Sequence, residues 1–254
     1  SDYDRESLDA MFDLCQSIAE EEFLPCAGKL DANEPQFIDG AVETIPEVKQ
    51  AISAFKEAGL CASGYDADIG GMQLPWMVDQ ALNGMFVCAN NPIHIYLFLT
   101  QGVANMLNAC GSDELKDKYL APLVAGDWFG TMCLSEPQAG SSLADITTKA
   151  EPLADGSYKL TGTKMWISGG EQDLSDNIIH MVLAKVPGGP AGVRGISLFL
   201  VPKIRVNADG TLGERNNVAL AGLNHKMGCR GATNTLLNFG EGGDSIGYLV
   251  GNEN

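Results

Sequence analysis

In the first half of the chain, apolar residues recur at the spacing of an amphipathic helix. The first such run extends from Leu8 to Phe23, and we expect this helix to end before Pro25. Residues 25–45 carry turn-forming residues and are predicted to be a loop. Four further helices are predicted, with starts marked by Pro46, Pro75, Pro92 and the N-cap residue Ser112. Up to this point the chain is predicted to be entirely helical.

Near Trp128 the apolar period changes from that of a helix to the two-residue period of strands. Residues 178–184 and 196–201 are rich in aliphatic side chains and are predicted to be core strands, and pairs such as Asp155-Gly156 mark turns. Helices followed by strands, without βαβ alternation, predict an α+β protein in two parts. We expect an all-α helical domain over residues 1–127 and an antiparallel β-barrel or sandwich domain over residues 128–254.

Composition narrows the class of partner. The chain has 254 residues, of which 45% are hydrophobic and 19% charged, as in ordinary globular proteins. Its net charge of −17 argues against a nucleic acid or an anionic membrane as partner, because both require a basic surface. The most apolar segment, residues 93–99, is too short and too interrupted for a membrane span.

Cysteine and histidine usage points away from disulfides and metals. The seven cysteines are odd in number and far apart, which predicts reduced thiols and a cytoplasmic protein. None of the three histidines is grouped with them, so no metal site is expected, and each histidine is predicted to be buried and neutral or exposed. The first residues, Ser1-Asp2-Tyr3-Asp4, are acidic and polar, and no signal peptide is predicted there.

The stretch from Met132 to Ser142 is the main candidate for chemistry. A strand-like run stops at Glu136-Pro137 and gives way to small residues, which leave room for backbone N–H groups and serine hydroxyls to approach one polar ligand. The alternative is a tight connection between strands in which the serines satisfy their own turns. Dinucleotide-binding, P-loop and nucleophile-elbow glycine motifs are missing from the sequence. A cofactor held by irregular loops is therefore the favoured enzymatic interpretation.

Two motifs together resemble the signature of the acyl-CoA dehydrogenase family. The first is Cys133-Leu134-Ser135-Glu136-Pro137-Gln138-Ala139-Gly140-Ser141, and the second is Lys164-Met165-Trp166-Ile167-Ser168-Gly169-Gly170. Further similarity lies in His225-Lys226-Met227-Gly228 and in the strand-like residues 233–239. The resemblance spans nearly the whole chain and implies the N-terminal helical and middle β domains of this family.

The resemblance also implies FAD as cofactor and a reaction. An α proton is removed from an acyl-CoA thioester while the β hydrogen passes as hydride to flavin N5. Met132, Cys133, Leu134 and Ser135 are then expected to line the flavin, Gly140 and Ser141 to meet the pyrophosphate, Ser141 also to face the CoA substrate, and Trp166, Ile167 and Ser168 to contact the isoalloxazine. The alternatives are a half-buried strand aromatic for Trp166 and a solvated strand end for Ser168. For Glu136 a structural role is preferred.

Departures from the family pattern refine the expectation. Gln138 replaces a commoner glycine and Ser142 a commoner aspartate, and the pattern is similar to that of the bacterial branch that includes 3-methylmercaptopropionyl-CoA dehydrogenase. The family's C-terminal helical bundle, which carries the catalytic glutamate, has no counterpart in the sequence. No residue of this chain is therefore expected to be the catalytic base, and the chain alone is expected to be inactive.

The resemblance implies partners as well, and rival functions remain open. An electron-transfer flavoprotein is the expected electron acceptor, and the complete protein is expected to be a homo-oligomer. One rival is an acyl-CoA oxidase, whose reduced flavin reacts with oxygen. The other is a non-catalytic acyl-CoA-binding module on the same fold.

Overall fold

The computed structural model describes residues 3–253. Outside this range lie Ser1 and Asp2, which begin the predicted helical domain and the segment with no predicted signal peptide, and Asn254, which ends the predicted β domain. The first half is mainly helical, as the periodicity predicts, but it also contains one short hairpin. The α-helices are α1 Arg5–Ile18, α2 Ala27–Ala32, α3 Pro46–Glu57, α4 Trp76–Cys110 and α5 Asp113–Val124. The prediction that Ser112 is the N-cap of α5 is confirmed, because its hydroxyl accepts a hydrogen bond from the backbone N–H of Leu115.

The first helix ends before Pro25, as predicted, but the chain does not become a loop there. A π-helical turn, Ala19–Phe23, and a 3₁₀ turn, Leu24–Cys26, carry the chain from α1 into α2. Proline is tolerated here because it lies in the first turn of the 3₁₀ segment, where its missing N–H has no helical partner to lose. The buried amide of Asn90 donates to the Phe23 carbonyl at 3.0 Å, which supports the irregular turn from the side of α4.

Residues 25–45 are more regular than predicted. Besides α2 they contain an antiparallel hairpin of β1, Gln36–Ile38, and β2, Ala41–Glu43. Asp39 and Gly40 both have positive φ, which matches the tight turn that an Asp-Gly pair favours. The short strands escaped detection because so few residues cannot display a period.

The helices predicted to begin at Pro75 and Pro92 are one kinked helix, α4. The kink lies at Asn90, whose φ of −160° is not helical, two residues before Pro92. A proline inside a helix removes a hydrogen bond and crowds the preceding turn, so a bend is its usual effect. Despite the length of α4, none of the helices within residues 3–253 is apolar enough over a sufficient stretch to cross a membrane.

The second half is a β domain, as predicted. Its strands are β3 Trp128–Cys133, β4 Lys149–Pro152, β5 Tyr158–Ser168, β6 Asn177–Lys185, β7 Ile196–Pro202, β8 Ile204–Val206, β9 Leu212–Arg215, β10 Val218–Leu223, β11 Asn234–Phe239 and β12 Ser245–Val250. The main sheet has the order β10-β11-β5-β12-β7-β6-β3, and β4 pairs with both β5 and β6, which closes a ring of five strands. Most pairs are antiparallel, but β3 and β4 each run parallel to β6.

The helical part holds β3 in place. Gly130 of β3 packs directly against α4: a Cβ atom at this position would lie 2.5 Å from the Cβ of Val103. The Gly130 N–H also donates to the Thr100 hydroxyl at 3.0 Å. Because β3 runs directly into the residues from Leu134 onward, this contact fixes where the candidate loop begins.

Candidate functional site

The loop after β3 turns tightly and then opens to solvent. Glu136 and Ala139 exchange two backbone hydrogen bonds of 2.9 and 3.0 Å, which close the turn. Gly140, Ser141 and Ser142 follow it and are exposed. The sequence alternative of a tight connection is therefore right for residues 136–139. The other part of that alternative, in which the serines satisfy their own turns, is not observed. Within residues 3–253 the hydroxyls of Ser135, Ser141 and Ser142 take part in no hydrogen bond.

The second motif lies in β5, directly beside this loop. The backbone N–H of Met165 donates to the Ser135 carbonyl at 3.0 Å, and the Lys164 ammonium donates to the Leu134 carbonyl at 3.1 Å. The fold thus brings together Leu134 and Ser135 with the residues that precede Trp166. Gly140 and Ser141 lie beyond the turn, and within the described part of the chain they are not bonded to β5.

A β-bulge interrupts β5 at Trp166. In the pairing with β11, Thr235 faces Ile167 and Leu237 faces Lys164, so two residues of β5 oppose one of β11. Trp166 has φ of +64°, a left-handed conformation that is strained for a bulky residue, and 49% of its surface is exposed. The Lys226 ammonium lies 5.4 Å from the centre of its ring.

The other residues predicted to contact the cofactor differ in how far their side chains are exposed. The side chains of Cys133 and Ile167 are buried in the barrel core, so only their backbone groups remain for a ligand. Burial raises the pKa of the Cys133 thiol to about 12, which makes this thiol unreactive. Met132 and Ser168 are half-buried, and Ser168 pairs with Asn234, whose amide is 3.5 Å from the serine hydroxyl.

The side chain of Glu136 is buried beneath the loop, and both of its carboxylate oxygens are hydrogen-bonded. Each carboxylate oxygen accepts three hydrogen bonds, from the backbone and hydroxyl groups of Thr147 and Thr148, the Gln138 amide and the Lys164 ammonium, with lengths of 2.6 to 3.0 Å. Burial by itself would raise the pKa of Glu136, but these donors outweigh it and hold the pKa at about 2. This agrees with the structural role expected for Glu136.

Lys164 is the residue that sequence reasoning missed. Its side chain is 0% exposed and lies 2.9 Å from Glu136. A signal was present, because Tyr158, Leu160 and Lys164 occupy alternate positions of one strand, and the first two are inward-facing core residues. A lysine on such a face requires a buried partner. Burial lowers the pKa of Lys164, and the hydrogen bond and negative charge of Glu136 oppose that effect.

The histidines behave as expected. Burial lowers the pKa of His94 to about 4 and that of His180 to about 3, so both are neutral, while His225 is exposed and its Nδ1 donates a hydrogen bond to the Glu34 carboxylate. Among residues 3–253 there is no group of three His, Cys, Asp or Glu side chains suited to a metal ion. The same residues contain only free cysteines.

The chain combines a helical domain with a β domain in which the two motifs lie side by side, and comparison with known proteins identifies this class of protein. The family model for the acyl-CoA dehydrogenase N-terminal domain matches residues 5–127, and that for the acyl-CoA dehydrogenase middle domain matches residues 131–241. The chain belongs to the acyl-CoA dehydrogenase family.

Individual relatives agree with this assignment. The chain is 41% identical over 211 residues to 3-methylmercaptopropionyl-CoA dehydrogenase of Ruegeria pomeroyi, a match that covers 83% of this chain and 35% of that protein. It is 36% identical over 250 residues to a butyryl-CoA dehydrogenase of Syntrophomonas wolfei, covering 96% of this chain and 40% of that protein. These matches span well under half of the relatives' length.

A solved structure shows the same fold. The structure of an acyl-CoA dehydrogenase complexed with FAD from Bacillus anthracis superimposes with a TM-score of 0.75 at 23% identity, over 99% of this chain and 38% of that chain. The helical and β domains of this chain are therefore those of the family fold.

Proposed function

We propose that this chain supplies the N-terminal and middle domains of an FAD-dependent acyl-CoA dehydrogenase. The observation that carries the proposal is the junction of the two motifs, in which Leu134 and Ser135 are bonded to Lys164 and Met165 of β5. Two segments distant in sequence thereby form one continuous surface beside the half-exposed ring of Trp166. The domain ranges 1–127 and 128–254 belong to this proposal.

The residues present fit a flavin dinucleotide. The hydroxyls of Ser135, Ser141 and Ser142 are unengaged within the described residues, and Gly140 has open space on its side-chain face. In this proposal Met132, Cys133, Leu134 and Ser135 would line one edge of the flavin and Trp166, Ile167 and Ser168 the other, while Gly140 and Ser141 would meet the pyrophosphate and Ser141 also the CoA substrate. When bound, FAD would supply the hydride-accepting ring system of an α,β-dehydrogenation of an acyl-CoA thioester.

The base for α-proton abstraction is proposed to come from sequence outside these residues. Glu136 is the carboxylate within the signature loop, but it accepts six hydrogen bonds and its pKa of about 2 makes it a poor proton acceptor. The chain spans 35% and 40% of the two relatives' lengths, which leaves room for such a contribution. The isolated chain is therefore proposed to be inactive, as the N-terminal part of a longer enzyme.

Further parts of the proposal follow from family membership. The substrate class is an acyl-CoA, the electron acceptor an electron-transfer flavoprotein, and the complete protein a cytoplasmic homo-oligomer of fatty acid or related acyl-CoA metabolism. The 41% identity to 3-methylmercaptopropionyl-CoA dehydrogenase supports the bacterial branch suggested by the sequence pattern. An acyl-CoA oxidase and a non-catalytic acyl-CoA-binding module are the rival functions.

The decisive experiment is a visible spectrum of the complete gene product, recorded before and after anaerobic addition of a panel of acyl-CoA thioesters. We expect a flavin band that one class of thioester bleaches, and no such bleaching for residues 1–254 alone. Peroxide release in air would favour the oxidase instead. A protein that stays colourless after incubation with FAD would contradict the proposal and favour the binding module.

A further inference from the structure

A contribution to stability alone does not explain why the Glu136–Lys164 ion pair is buried in the β domain. Both side chains are almost fully buried, at 1% and 0% exposure, and a buried ion pair is often no more stabilising than well-packed apolar residues. The cost of burying Glu136 is offset by its six hydrogen bonds, three of them from Thr148 and Lys164 on one oxygen. Such a densely bonded pair specifies one geometry rather than merely filling space.

The geometry that the pair specifies is the junction of the two motifs. Lys164 donates both to Glu136, at 2.9 Å, and to the Leu134 carbonyl, at 3.1 Å. The next residue along β5, Met165, donates its N–H to the Ser135 carbonyl. Two consecutive carbonyls of the loop are thus held by two consecutive residues of β5, and the ion pair is the buried end of this connection.

The same residue borders the strained bulge. Lys164 precedes Met165 and Trp166, and on the far side the Ile167 carbonyl accepts a hydrogen bond from Thr235 at 2.9 Å. A bulky residue at a φ of +64° persists only where its surroundings fix it on both sides. Lys164 provides one of these fixed sides, so it couples the position of Leu134 and Ser135 to that of Trp166.

We propose that Lys164 and Glu136 are positioning residues of the flavin site, which hold the loop at Leu134–Ser135 in register with the bulge at Trp166. This inference rests on the proposed function. Neither residue contacts the cofactor in this proposal; both act through backbone groups. Loss of Lys164 leaves the Leu134 carbonyl without its donor, and misplacement of binding groups by about 1 Å is enough to weaken a site severely.

The test separates positioning from stability with three variants of the complete gene product, prepared as apoprotein and titrated with FAD. Lys164→Met leaves the Glu136 charge without its cation, so we expect a lower melting temperature and an FAD dissociation constant raised by about tenfold or more, which equals about 1.4 kcal/mol. The double variant Glu136→Gln, Lys164→Met contains no unpaired charge. We expect its melting temperature to recover only in part, because the amide replaces one of the two accepting oxygens of Glu136, while its FAD dissociation constant stays raised because the Leu134 carbonyl still has no donor.

Lys203→Met is the matched control. Lys203 pairs with the mostly buried Glu171 in the same β domain and belongs to neither motif. We expect it to lower the melting temperature without changing the FAD dissociation constant or the visible circular dichroism of the bound flavin. If Lys164→Met does not fold, the double variant carries the test.

Three results would overturn the inference. One is an FAD dissociation constant that recovers together with stability in the double variant, another is wild-type affinity in folded Lys164→Met, and the third is an equal loss of affinity in Lys203→Met. A wild-type protein that binds no FAD is a different failure, because it rejects the proposed function itself and the positioning role with it.

Discussion

The contact between Gly130 and α4 provides a sharp test of how the helical part positions the site. In Gly130→Ala, the new Cβ would lie 2.5, 2.7 and 3.0 Å from the three side-chain carbons of Val103. Carbon atoms in contact prefer about 3.5–4.0 Å, so α4 and β3 must separate by up to about 1 Å. Overpacking of this kind costs about 1–3 kcal/mol.

The hydrogen bond at the same place adds to the cost. The Gly130 N–H donates to the buried Thr100 hydroxyl at 3.0 Å, and moving β3 away from α4 stretches this bond. A buried hydrogen bond contributes about 1 kcal/mol. We therefore expect Gly130→Ala to lower the free energy of unfolding by about 2–4 kcal/mol in urea titrations followed by far-ultraviolet circular dichroism.

Gly84→Ala is the control for the glycine substitution itself. Gly84 lies in α4, and a Cβ there would meet nothing within 4 Å. Alanine in such a helical position stabilises by about 0.5–1 kcal/mol relative to glycine. The Gly130–Val103 contact does not position β3 if the free energy of unfolding of Gly130→Ala lies within about 0.5 kcal/mol of the wild-type value, or if both variants change stability in the same direction.

Three further predictions address the site and the kink. The folded-state pKa of Glu136 is about 2 against an ordinary value of 4.5, so the ionised carboxylate stabilises the fold by about 3 kcal/mol above pH 4.5, and this stabilisation is lost as the pH falls toward 2. In urea titrations the difference in free energy of unfolding between the wild type and Glu136→Gln should shrink over this pH window. A difference that stays constant would contradict the structural role of Glu136. Asn90→Ala removes the buried amide that donates to the Phe23 carbonyl, and thermal unfolding should show a loss of stability of about 1–3 kcal/mol. The control is Asn108→Ala, since Asn108 is exposed, and an equal loss in both variants would show that the Asn90 contact is unimportant. Trp166→Gly relieves the strain at a φ of +64° while removing a half-exposed ring, so apoprotein stability should be kept and FAD affinity reduced, and unchanged affinity would remove Trp166 from the site.

The sequence determined the order of the two halves, since that order depends only on local patterns. Helical and strand periods exchange near Trp128, and the N-cap Ser112 was found because a cap is a contact between residues three apart. Where the local signal was ambiguous the predictions failed. The first helix ends before Pro25, but a 3₁₀ turn and α2 follow in place of the predicted loop. Pro92, predicted to begin a helix, lies inside the kinked helix α4.

The sequence also located the candidate site, because its two motifs are contiguous runs that can be compared with a family pattern. It predicted a structural role for Glu136 but not the partner that makes this role effective. Glu136 and Lys164 are 28 residues apart, and no local rule relates them.

How these residues meet depends on tertiary contacts. The parallel pairing of β3 with β6, the closure of the ring by β4 and the bulge at Trp166 all depend on hydrogen bonds between distant strands. The buried position of Lys164 follows from that pairing, because a strand's inward face is defined only once the neighbouring strands enclose it. The amino-acid order thus names the residues of the candidate site, and long-range backbone pairing determines which of them touch.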